Sequence, residues 1–280
     1  VGEEAAKEGA IAAIGQQDFI TSNHRGHGQS IAMEIDLNGM MAEIMGKATG
    51  TCKGKGGSMH IADLDNGNLG ANGIVGGGMG MAIGAALTQK MKNTGKIVLC
   101  CFGDGACNEG TFHETLNLAS IWKLPVIFYS INNFYGISTP IKNVINVDYN
   151  YQRASAYGIP GHFIEDGNDI VAVYEKMQEA VEYVRNGNGP VLVESVTYRW
   201  FGHSTSDPGK YRTKEEVDSW KKKDPIVKFR NYLVDNNLAT VQELDELDVQ
   251  SKTAVEDAVK FALNSPEPSY ESAFEDIFAD

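Results

Sequence analysis

The chain lacks long apolar runs: no stretch in its 280 residues comes near the ~18 consecutive apolar residues that suggest a membrane-spanning helix. No membrane partner is therefore expected. Positive charge is in deficit, with 24 Lys and Arg against 37 Asp and Glu and a formal net charge of -13. A nucleic-acid binder needs a basic face, so no nucleic-acid partner is expected. A diphosphate ligand is not excluded, because local donors and a metal ion decide such a site. Cysteine is sparse: Cys52, Cys100, Cys101 and Cys107 are all there is. That number and spacing give neither a disulfide scaffold nor a paired metal site, and a reducing, cytoplasmic compartment is expected.

What is present is ordinary for a globular protein, with 42% hydrophobic and 22% charged residues. Neither an internal repeat nor a low-complexity linker interrupts it. Residues 1–280 are expected to form one domain, with a peripheral helical C-terminal arm over about 240–280.

The informative stretch runs from residue 103 to 135. The apolar run Lys96-Ile97-Val98-Leu99-Cys100-Cys101-Phe102 reads as a buried parallel strand. Gly103-Asp104-Gly105-Ala106 then stands at its C-terminal end, where open α/β sheets place ligands. Asn108 to Lys123 reads as a crossover helix and Pro125 to Ile131 as a second buried strand, which ends at Asn132-Asn133. One βαβ unit thus brings Asp104 and Asn133 to neighbouring strand ends. Gly103 and Gly105 allow a tight turn that exposes N–H groups to an anion. An Asp carboxylate and an Asn carbonyl beside phosphate oxygens suit magnesium, a hard ion that wants six oxygens. A Gly-Asp-Gly alone is ordinary turn chemistry; the Asn pair on the next strand gives it meaning.

Gly103-Asp104-Gly105 followed by Asn132-Asn133 resembles the thiamine-diphosphate signature. The flanking residues resemble the α subunit of the first component of 2-oxo acid dehydrogenases. Within that family, Thr21-Ser22-Asn23-His24-Arg25-Gly26-His27-Gly28 and Cys52-Lys53-Gly54-Lys55-Gly56-Gly57-Ser58-Met59-His60 are most similar to the acetoin dehydrogenase branch. The resemblance covers about residue 2 to beyond 260. It implies a thiamine-diphosphate-binding α/β fold, a mostly parallel sheet with helices on both faces.

The same resemblance implies the site. Gly103, Asp104, Gly105, Ala106 and Asn133 would bind the cofactor, with Asp104, Asn133 and the main-chain carbonyl of Tyr135 on magnesium. Arg25 and Arg199 would hold the diphosphate, and Gly73 and Val75 would offer main-chain contacts to the aminopyrimidine ring. His27 and His203 would be catalytic, His203 also lying at the diphosphate end. The pyruvate-specific members carry Tyr where this chain has His24, which points to a different substrate. His60 is a secondary candidate. Ser204 stands at a position phosphorylated in mitochondrial relatives, but Lys210 and Tyr211 replace the family's second serine region, so kinase control is not expected.

The implied activity is cleavage of a small carbonyl substrate, acetoin, with transfer of the acetyl group to a lipoyl acyltransferase. The glutamate that activates the cofactor resembles one on a separate β subunit, so two α and two β chains are expected to share sites. Alternatives are a pyruvate or branched-chain 2-oxo acid dehydrogenase α subunit, or a non-catalytic magnesium-diphosphate binding module.

Elsewhere, Gly2 to Gly15 reads as a helix, as do Met33 to Lys47, Lys214 to Asn236 and Thr240 to Asn264. Gly161 to Asp166 and Pro190 to Tyr198 read as strands, and Asn168-Asp169 as the cap of a helix reaching about Arg185. Gly54-Lys55-Gly56-Gly57-Ser58 lacks the P-loop spacing and is rejected as one. Gly80 and Gly84 leave one helix face without side chains, the face that meets the partner subunit in the family.

Overall fold

The computed structural model describes residues 1–278. The chain runs through α1 (Glu4–Ile14), β1 (Phe19–Asn23), α2 (His27–Ala32), α3 (Leu37–Ile44) and β2 (Asn68–Asn72). It continues with α4 (Gly77–Lys92), β3 (Val98–Gly103), α5 (Gly110–Ile121) and β4 (Val126–Asn132). Then come β5 (Gly161–Ile164), α6 (Ile170–Arg185), β6 (Val191–Val196), α7 (Lys214–Lys221), α8 (Pro225–Asp235) and α9 (Val241–Asn264). The six strands form one sheet in the order β2-β1-β3-β4-β6-β5, and every pairing is parallel.

Strand alternation makes the layers. Val98, Cys100 and Phe102 pack with Met79, Ala82, Phe112 and Leu116 of α4 and α5 on one face. Leu99 and Cys101 pack with Ala6, Ala10 and Ile11 of α1 and Val173 and Met177 of α6 on the other. A strand buried on both faces reads as a near-continuous apolar run; β3 supplies one, and β4 and β6 begin with one before the buried polar residues Ser130, Asn132, Glu194 and Ser195 toward their C-terminal ends. The expected α/β fold, with helices on both faces of a parallel sheet, is what forms.

Two expectations are corrected. Met33 to Lys47 is not one helix: Glu34 adopts a left-handed φ of 60°, and α3 starts afresh where the Asp36 carboxylate accepts from the N–H groups of Asn38 and Gly39. Lys214 to Asn236 divides into α7 and α8, because Pro225 has no N–H for a continuing helix and Asp224 caps a new one. The sheet also takes in strands at 19–23 and 68–72, which no apolar run marks in the sequence. The other elements lie within a few residues of their expected bounds. Asp169, for example, caps α6 by accepting from Val171 and Ala172.

The C-terminal arm lies along α3. Ala258 and Ala262 of α9 are buried, and Ala48 N–H donates to the Pro266 carbonyl. Lys53 and Lys55 both pair with Asp276. The last two residues of the expected arm, Ala279 and Asp280, lie outside the described residues. Among the described residues no helix is long and apolar enough to cross a membrane.

Candidate active site

Strand order reverses between β1 and β3, since β2 lies outside β1 and β4 lies outside β3. The loops leaving these strands diverge there and open a crevice at their C-terminal ends. Asn23, His24 and Arg25 leave β1, Gly103 and Asp104 leave β3, and Asn133 follows β4. Arg199 arrives three residues beyond β6. They line a cavity of about 250 Å³.

Of the residues expected from the sequence, Arg25, Val75, Gly103, Asp104, Gly105, Ala106, Asn133, Tyr135, Arg199 and His203 all line this cavity. Gly73 does not; its N–H donates to His60 Nε2 at 3.3 Å, and Ile74 and Val75 reach the cavity after it. His27 lies beside a second cavity, whose lining shares Glu3, Lys7, His24, Arg25 and Arg199 with the first.

The aspartate is held in an unusual electrostatic state. Asp104 is 3% exposed and its Oδ2 has no hydrogen-bond partner. Burial, with the Glu194 and Glu3 charges behind it, pushes its carboxyl up to about 7. A buried carboxylate oxygen without a partner is costly unless a cation joins it. Asn133 donates Nδ2–H to Glu3 Oε1 at 2.8 Å, which fixes the amide flip, and its Oδ1 accepts from Tyr135 N–H at 3.3 Å. That oxygen keeps a second lone pair.

Glu3 and Lys7 were not legible as site residues. Glu3 is 3% exposed, pairs with Lys7 Nζ at 3.0 Å and lines the cavity. Burial opposes its charge, but Lys7, the Asn133 amide and Arg25 outweigh it and hold the carboxyl down at about 2. In sequence the pair is an i,i+4 acid and base on an Ala-rich helix, which reads as solvated. The i,i+4 spacing was the available signal; the burial comes only from docking α1 on the sheet.

Basic groups crowd the other wall. Arg25 Nη2 donates to the His203 carbonyl at 2.6 Å and lies 3.2 Å from His203 Nδ1. A guanidinium can only donate, so Nδ1 accepts and the His203 proton sits on Nε2. Burial first, then Arg25 and Arg199, push the His203 imidazole below its ordinary range. His24, its ring centroid 5.8 Å from that of His203, is pushed down to about 4 by burial and then the Arg25 charge. Arg199 donates Nη2–H to the Ile137 carbonyl and to the Tyr211 hydroxyl. Asp207 accepts from the N–H groups of His203 and Gly209 and from Tyr211 OH, which ties the 199–211 loop together.

The chain turns tightly after Gly103, through a 3₁₀ turn over Asp104–Asn108. Gly103 is extended at φ -89° and ψ 165°, so no left-handed turn requires it. A Cβ at Gly103 would meet nothing within 4 Å. Lack of a side chain leaves room for a ligand to approach the backbone. Gly76, entering α4 at φ 77°, does need glycine, because a Cβ there would lie 2.7 Å from Thr111.

A model of the dehydrogenase E1 component family matches residues 1–271. The chain belongs to that family. The α subunit of acetoin:2,6-dichlorophenolindophenol oxidoreductase from Bacillus subtilis (strain 168) is 51% identical over 278 residues, 99% of this chain and 83% of that protein. The same-named subunit from Cupriavidus necator is 42% identical over 278 residues, again 99% and 83%. The pyruvate dehydrogenase E1 component subunit alpha of Rhizobium meliloti is 38% identical over 279 residues, 99% and 80%.

As a dehydrogenase E1 component the protein is an oxidoreductase, and its family implies thiamine diphosphate. The residues fit that group. An orphaned carboxylate oxygen at Asp104, an oriented amide at Asn133, two arginines and the side-chain-free approach at Gly103 share one cavity.

Proposed function

We propose that this E1 component is the α subunit of a thiamine-diphosphate-dependent complex that cleaves acetoin and passes the acetyl group to a lipoyl acyltransferase. The observation that carries the reading is Asp104, a buried carboxylate with a bare oxygen at converging strand ends, in a cavity that Arg25 and Arg199 also line. Magnesium would be held by Asp104, Asn133 Oδ1 and the Tyr135 carbonyl. Among the described residues no group of three or more His, Cys, Asp or Glu side chains is poised around a metal. That suits an ion that takes one or two protein oxygens and completes its shell with phosphate and water.

Arg25 and Arg199 would bind the diphosphate, where a planar guanidinium matches two phosphate oxygens. Gly103, Gly105 and Ala106 border that space, and Gly73 and Val75 would face the aminopyrimidine through their main chain. The chemistry the cofactor supplies when bound is a nucleophilic carbon and a sink for the electron pair of the bond that breaks. His203, neutral beside two arginines and carrying its proton on Nε2, would hold or move a proton at the substrate oxygen. His27 would do the same from the adjoining cavity.

The cavity's own glutamate cannot activate the cofactor ring. Glu3 Oε1 is taken by Asn133 and Oε2 by Lys7, and it stays ionised. An activating glutamate supplied by a β subunit, in a heterotetramer of two α and two β chains, fits this chemistry. The four cysteines are all free, which suits the cytoplasm.

Two experiments decide between readings. The chain purified alone turns over no acetoin, and adding the β subunit restores dichlorophenolindophenol reduction; robust activity of the α chain alone contradicts a shared site. The likeness to pyruvate dehydrogenase subunits keeps a 2-oxo acid substrate as the second reading, which a larger kcat/KM for pyruvate than for acetoin would establish.

A further inference from the structure

Glu43 anchors the most densely hydrogen-bonded carboxylate of the fold outside the cavity. It lies in the last turn of α3 and is fully buried. Its Oε1 accepts from the N–H groups of Gly56 and Gly57, and its Oε2 from those of Cys52 and Gly54, all four at 2.8 Å. A ring of loop N–H groups of this kind elsewhere receives an anion from solution. Here the protein's own carboxylate fills it, through bonds stronger than neutral ones. Gly50 makes the close approach possible, because a Cβ there would lie 2.7 Å from the Glu43 Cα.

The loop that Glu43 folds reaches two histidines. His27 Nε2 is 2.9 Å from the Ser58 carbonyl oxygen and 3.0 Å from Ser58 Oγ. A carbonyl only accepts, so Nε2 carries the proton and His27 Nδ1 is bare. His60 has the opposite arrangement. Its Nδ1 is 3.1 Å from the Gly56 carbonyl and so carries the proton, while Nε2 accepts from Gly73 N–H at 3.3 Å. Each tautomer is set by a carbonyl of the loop wrapped on Glu43. Gly73 leads directly to Ile74 and Val75 on the cavity wall.

We propose that Glu43 is a positioning residue: by anchoring residues 52–57 it fixes the tautomer and orientation of His27 and His60, and through His60 the backbone from Gly73 to Val75. Glu43 touches neither cavity and acts only through this loop. The kinetic part of the test rests on the functional reading given above; the spectroscopic part does not.

The test uses the full chain with 15N-labelled histidine, its ring signals assigned with His27→Gln and His60→Gln. Wild type shows Nε2–H for His27 and Nδ1–H for His60. Glu43→Gln keeps the volume but turns an NH2 toward two of the four N–H groups. Both ring patterns then average toward mixed tautomers, and the amides of 52–57 exchange roughly tenfold faster. The rings of His113 and His162 and the amides of β3 and β4 stay unchanged. If Glu43→Gln does not fold, Glu43→Asp, which retains the charge one methylene short, is read by the same signals. Unchanged His27 and His60 tautomers in a folded variant overturn the proposal. So does a change spread equally over His113 and His162, which marks general loosening.

In the complex with the β subunit, Glu43→Gln and His27→Gln each lower kcat/KM, and the double variant loses less than the product of the two factors, because part of the Glu43 effect runs through His27. Multiplying losses overturn the coupling. A wild-type complex inactive with every carbonyl substrate sinks the functional reading, and the ring signals still decide the role of Glu43.

Discussion

Glu3 and Asp104 line the same cavity, yet their surroundings drive their carboxyls to about 2 and about 7. Both are buried; Glu3 has Lys7 and an amide donor, and Asp104 has a bare oxygen. Removing Glu3 therefore does more than delete a surface charge. Glu3→Ala leaves Lys7 without its partner and the Asn133 amide free to turn, and should cost about 3 kcal/mol in urea unfolding. A loss indistinguishable from zero would contradict the buried pair. His24 gives a pH signature. Its folded value of about 4 lies below the ordinary 6.5, so the unfolded chain takes the proton first as pH falls. Stability from this group is complete above about 6.5 and is lost progressively down to about 4. His24→Gln should flatten that part of the urea-midpoint profile, and an unchanged slope would refute it. At this scale Asp104 and Asn133 were legible because each follows an apolar run at a strand end. Glu3 was not, because its burial depends on where α1 docks, which no local pattern encodes.

Among the elements, the strands buried on both faces were readable from their apolar runs, and β1 and β2 were not. Thr21-Ser22-Asn23 and Asn68-Leu69-Gly70-Ala71-Asn72 carry polar residues into the sheet, where the Asn68 side chain bonds Ser30 and its Oδ1 receives Gly70 N–H. Pairing of β1 with β3, and of β2 with β1, overrides their weak propensity. The break between α7 and α8 was written in Asp224-Pro225 and masked by the amphipathic charge pattern on both sides. The reading of α4 as the face that meets a partner can be tested at its glycines. Gly80 and Gly84 are exposed, and a Cβ at either would meet nothing within 4 Å. Gly80→Leu should therefore fold with a normal melting profile and fail to form the heterotetramer in light-scattering chromatography. Assembly of that variant at wild-type affinity would remove α4 from the interface.

For the whole molecule, we infer one domain across the described residues, its arm pinned to the loop that follows α3 by Lys47–Glu267 and by Asp276 with Lys53 and Lys55. The sheet converts that continuity into a site. Four strand ends deliver an acid, an amide and two arginines to one crevice, and residues far apart in sequence meet only because the strand order reverses there. Among the described residues the only glutamate lining the Asp104 cavity is Glu3, both of whose oxygens are taken, and α4 leaves Gly80 and Gly84 exposed; both are consistent with a chain completed by a partner. The central claim is that a magnesium ion at Asp104 ties thiamine diphosphate to these strand ends. Calorimetric titration of the cofactor into the α/β complex, with and without magnesium, tests it most directly. Wild type should bind only when magnesium is present, and Asp104→Ala should lose more than about 100-fold in affinity, since even residues behind a ligand cost ~10–100-fold. Equal, magnesium-independent binding by wild type and Asp104→Ala would contradict the account.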